Sequence, residues 1–127
     1  MRYQPSLVVS YLVMLLQQLQ WEDSFYRQVR AVQSLAAILH ELGDEDAKAI
    51  AEEAAKYEPE AYLLDLWIHE VKEELVHGNA LEFPAELKQR MIRLRYALER
   101  FKARLITSLD EKLKGKVPVV RASGGEK

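Results

Sequence analysis

Apolar residues recur at helical spacing along most of the chain, and the longest such stretch sets the architecture. From Pro84 to Lys114 about 31 residues pass without a glycine or an internal proline, with Leu87, Met91, Leu94, Leu98, Phe101 and Leu105 spaced 4-3-4-3-4. That spacing keeps one apolar seam on one side of a helix. The seam continues in steps of four to Leu109 and Leu113. At about 1.5 Å per residue the helix would span roughly 46 Å, so shorter helices are expected to pack along it.

Four further helices are expected before it. Pro5 and Ser6 open the first, whose Leu7, Val8, Val9, Tyr11, Leu12, Val13, Met14, Leu15 and Leu16 are apolar nearly all round. Such a helix either occupies the centre of a bundle or hides a core shared between two copies. Glu22, Asp23 and Ser24 supply N-cap candidates for the second, which carries Phe25, Val29, Val32, Ala36 and Leu39 on one face and stops at Gly43. Asp44 can cap a short third helix with a small-residue face of Ala47, Ile50, Ala51 and Ala54. Glu58 and Pro59 start the fourth, proline being tolerated in a first helical turn. It runs to about His77 and ends at Gly78 and Asn79.

No strand period appears, and from Gly115 the helical period is lost. The expected fold is therefore all-α, a four- to five-helix bundle forming one domain over residues 1–114. A flexible tail is expected over residues 115–127.

Composition narrows the class. The 127 residues are 49% hydrophobic and 30% charged with no cysteine, which excludes a wholly disordered chain, disulfides, thiolate metal sites and cysteine nucleophiles. One asparagine and one threonine beside abundant Glu, Lys, Arg, Ala and Leu lean towards a thermophilic source. The densest apolar run, Leu7 to Leu16, is shorter than the ~20 residues a membrane span needs and lacks the flanks of a signal peptide. A cytoplasmic protein with no membrane partner is expected.

Charge changes the picture more. The net charge of -2 conceals a segment from Glu41 to Glu74 with 12 acids and three lysines, and one from Lys88 to Lys127 with 12 bases and four acids. On the long helix, Arg90, Arg93, Arg100 and Arg104 share an arc of roughly 80° beside the apolar seam. Lys88, Arg95 and Lys102 flank its other side. Arginines held in a stiff row can pair with phosphates. They can equally lie against the acidic third and fourth helices, and a sequence pI near 5.9 favours that acidic counterpart over a nucleic-acid module.

Catalytic signatures are scarce. His69, Glu73 and His77 recur every four residues on the fourth helix and share a face that could offer two imidazoles and a carboxylate to a metal. Glu74 and His77 make one E-x-x-H pair, but a di-iron bundle needs two. The five glycines form no phosphate-binding loop, and no serine sits in a G-x-S-x-G setting. No cofactor is expected.

Two short segments resemble known families. Lys72, Glu73, Glu74, Leu75, Val76, His77 and Gly78 resemble the R-x4-H-G signature of the HEPN ribonucleases, which implies a role for His77 in RNA cleavage; Lys72 and Glu73 depart from that pattern. Asp23, Ser24, Phe25, Tyr26, Arg27, Gln28 and Val29 resemble the helix opening of GINS replication-factor subunits, with an inserted serine. The residues themselves favour a non-enzymatic interaction or assembly subunit, a homodimer or a subunit with a protein partner, with Arg90, Arg93, Arg100 and Arg104 facing an acidic partner. The alternative is a nucleic-acid-binding accessory using the same four arginines.

Overall fold

The computed structural model describes residues 5–113, with side chains placed for residues 10–19 and 21–111. The expected tail at 115–127 lies outside the described residues. Five α-helices and no strand make up the described chain: α1 Pro5–Trp21, α2 Phe25–Glu41, α3 Glu45–Ala55, α4 Glu58–Val76 and α5 Ala85–Leu113. The fold is an all-α bundle with a long last helix, as the spacing predicts.

Local chemistry places the breaks. Ser24 adopts extended backbone and its hydroxyl accepts a hydrogen bond from the Arg27 N–H at 3.1 Å. Asp44 does the same for α3, its carboxylate accepting from the Asp46 N–H at 3.0 Å. Both satisfy amides that a helix start leaves without partners. Gly43 and Gly78 finish α2 and α4 with positive φ values of 108° and 80°, a region costly for residues bearing a Cβ.

The helix at the centre is α2, and it packs against all four others. Phe25, Val29, Ala31, Val32, Leu35, Ala36 and Leu39 are buried along it, covering an arc of roughly 160°. Ala31 and Ala36 keep that surface thin enough for neighbours to approach from several directions. The seam of α5 meets it as expected: Leu87, Leu94, Leu98, Phe101, Leu105 and Leu109 are buried and Met91 half-buried. Phe101 also meets the edge of the Tyr57 ring, with centroids 5.8 Å apart and planes at 73°.

The first helix departs from the central place its composition suggests. It packs chiefly on α2 through Leu12, Leu15 and Leu19, while Tyr11, Val13 and Met14 face outward. Its uniform apolarity reflects a second, uncovered face rather than an enclosed position.

A tertiary cap ties α4 to the start of α2. The Asp65 carboxylate accepts from the Ser24 hydroxyl at 2.6 Å, the Phe25 N–H at 2.9 Å and the Tyr26 N–H at 3.0 Å. A negative group at a helix N-terminus answers both the free amides and the helix dipole. Tyr26 and Tyr62 stack edge to face beside this cap at 5.7 Å.

Candidate interaction surfaces

The antiparallel pair α4 and α5 opens a groove on the bundle surface, and Arg90, Arg93 and Arg100 of the arginine row run along it, while Arg104 lies beyond it beside α3. One end, with a volume of about 500 Å³, is bounded by Tyr57, Glu60, Ile92, Tyr96, Ala97 and Arg100. The adjoining end, about 510 Å³, is bounded by Glu60, Leu63, Leu64, Trp67, Arg90 and Arg93. Arg93 and Glu60 border both, so the two hollows adjoin.

Helical geometry explains this composition. On α5 the arginine arc lies between the buried seam and a strip bearing Ile92 and Tyr96, four residues apart and therefore on one face. On α4, Leu63 and Trp67 stand one turn apart in the same way. Leu63 is 62% exposed, Ile92 62% and Tyr96 69%, so the groove carries apolar groups that the bundle does not cover.

The four arginines meet different fates. Arg104 approaches Glu53 of α3 at 3.9 Å, the contact expected if the row lies against an acidic helix. Arg90 turns to its own helix, where its Nη2 donates to Glu86 at 3.0 Å. Its Nε is buried without a hydrogen-bond partner. Arg93 and Arg100 form no ion pair among the described residues, and the Arg100 guanidinium lies 5.8 Å from the centre of the Phe101 ring. On the other flank, Arg95 lies 5.6 Å from the Phe25 ring centre, Lys88 reaches Glu82 at 3.9 Å and Lys102 reaches Glu99 at 2.9 Å.

A second surface lies on α1. From Pro5 to Trp21 the helix contains no charged residue. Its outward face presents Tyr11, Met14 and Trp21, with Met14 50% and Trp21 80% exposed, among Ser10, Gln17 and Gln18. Large uncovered apolar side chains on an uncharged helix face make it a candidate interaction surface.

Structure places the candidate metal residues in solvent. His69, Glu73 and His77 are all exposed, and only Glu73 and His77 approach each other, at 3.7 Å. Among the described residues no group of three or more His, Asp or Glu is arranged to hold a metal ion, and no polar or charged side chain is buried. Lys72 is exposed like His77, and neither borders the groove. Ser24, in the other short resemblance, serves as the α2 cap. No helix among the described residues is long and apolar enough to cross a membrane.

The arginine arc is legible in the sequence, whereas the apolar residues that make Arg90, Arg93 and Arg100 part of a groove are not. Ile92 and Tyr96 are visible as an i, i+4 pair outside the seam, and that pair is the available signal. Compared with family models, curated proteins and solved structures, the chain matches none.

Proposed function

We propose that this protein is a non-enzymatic assembly subunit that forms a homodimer through the outer face of α1. The observation that carries this reading is a helix of 17 residues free of charge, with Tyr11, Met14 and Trp21 on its uncovered side. A twofold interface sets each surface against a copy of itself, so any charge near its centre meets its own like. The α1 face avoids that repulsion, and its glutamines offer both donors and acceptors to the same groups on a partner copy. A single helix face of this length covers less than the ~800 Å² per partner of standard stable complexes, so micromolar association is expected.

Cysteine substitution tests the face directly, because the chain has no cysteine of its own. Met14 stands near the middle of the outer strip, where a twofold axis brings identical residues together. Met14→Cys is expected to oxidise to a covalent dimer, and Ser34→Cys, exposed on α2, to remain a monomer under the same conditions. Equal cross-linking of both variants, or of neither, contradicts the α1 interface.

A second reading, a nucleic-acid-binding accessory, is favoured by one observation. Arg93 and Arg100 are exposed, without ion pairs among the described residues, beside Tyr96, a base-stacking group next to phosphate-binding ones. Against it stand Glu60 within the groove and the carboxylates engaging Arg90 and Arg104. Binding of a labelled oligonucleotide that weakens steeply with salt and is lost in the Arg93→Glu/Arg100→Glu variant would establish it.

A further inference from the structure

We propose that the groove between α4 and α5 is a docking site for an acidic amphipathic helix of a different protein. The site shares no residue with the α1 face, so it stands whether or not the chain dimerises. Its form suits a helix-in-groove surface: Leu63 with Trp67 on α4 and Ile92 with Tyr96 on α5 line its two walls. A partner helix would lower two or three apolar side chains onto these walls, at i, i+4 and i+7 spacing.

Charge selects the partner. Arg93 and Arg100 stand seven residues apart on one arc of α5, about 10.5 Å along the axis, and lack ion pairs among the described residues. Arg90 borders the same groove with its Nε buried and unpartnered. A carboxylate brought in by a ligand would meet the exposed Arg93 and Arg100 guanidiniums, which bind carboxylates through a fixed planar fork. Two acidic residues seven apart on a partner helix match the Arg93 and Arg100 spacing without bending either helix. A second copy of this chain set groove against groove fits less well by charge, because the arginines of one copy would meet the same arginines of the other. The basic segment from Lys114 to Lys127 is unsuited for the same reason.

Nucleic acid is the competing occupant, and two features disfavour it. Glu60 lines both parts of the groove and its charge repels phosphates, whereas a peptide helix can answer it with one Lys or Arg. Leu63, Trp67 and Ile92 are side chains that a bound strand would leave partly in water but that a helix would cover.

The experiment is selection from a display library of 16-residue helical peptides, with two leucines fixed seven apart and the flanking positions free to be Glu, Lys or Gln. Against the full-length protein, selected peptides are expected to be enriched in Glu and to lose about tenfold or more in affinity for Arg93→Glu/Arg100→Glu, roughly 1.4 kcal/mol or more. A similar loss is expected for Leu63→Asp, an exposed position whose substitution leaves the bundle core untouched. Failure of any peptide to enrich, enrichment of Lys or Gln instead, or affinity indifferent to these variants overturns the proposal. So does displacement of the selected peptide by a single-stranded oligonucleotide that binds the same variants more weakly at equal length.

Discussion

Replacing Phe101 with alanine is expected to lower the free energy of unfolding by about 3–5 kcal/mol, the loss typical of a buried aromatic truncated to Ala. The ring is completely buried on the α5 seam and meets Tyr57 edge to face. Its removal discards the transfer free energy of the ring and leaves a cavity in the core that Leu98 and Leu105 also fill. Domains of this kind have only ~5–15 kcal/mol of stability, so the variant should unfold at markedly lower denaturant or not fold at all. Phe101→Leu, which keeps most of the volume, is expected to cost less than half as much. Urea unfolding with an unchanged dependence on denaturant checks both, and a loss below about 1 kcal/mol for the alanine variant would show that the ring is not packed.

The second large effect is expected at Asp65. Alanine there removes three hydrogen bonds, accepted by the two carboxylate oxygens, from the first turn of α2, the helix on which every other helix rests. Loss of a helix cap costs about 0.5–2 kcal/mol, and hydrogen bonds to a charged group count for more than neutral ones, so a loss of about 2–3 kcal/mol is expected. The site is half-buried, so water reaches only part of what is left unsatisfied. Asp65→Asn keeps one acceptor oxygen and forfeits the charge facing the helix dipole, and is expected to fall between wild type and alanine. Thermal unfolding of the three proteins checks the order; equal stability of Asp65→Ala and wild type would refute the cap.

These two residues show what the sequence makes legible. Phe101 is apparent at once, because a repeat of 4-3-4-3-4 is a local property of one helix and survives into the fold without reference to any partner. The same holds for the seam of α2, for the caps at Ser24 and Asp44, and for the shared arc of Arg90, Arg93, Arg100 and Arg104. Asp65 is different: its partners lie 41, 40 and 39 residues earlier in the chain, and no local pattern distinguishes a carboxylate that caps another helix from one in solvent.

Which helix is central is equally hidden. Apolarity points to α1, yet a helix reaches the centre by offering a broad, thin surface to several neighbours, as α2 does with Ala31 and Ala36. The arginine row was legible as an arc but not in its pairing. Arg104 finds an acid on α3, while Arg93 and Arg100 face a groove whose character depends on where α4 places Leu63 and Trp67.

On the proposed reading, the uncharged face of α1 joins two copies of this chain. Light scattering on the wild-type protein at about 200 µM, a concentration suited to micromolar association, tests it most directly. The predicted result is a mass approaching twice the 14.7 kDa of one chain, falling towards the single-chain value on dilution or with Met14→Glu. A single-chain mass at every concentration, or a dimer that Met14→Glu leaves intact, would contradict it.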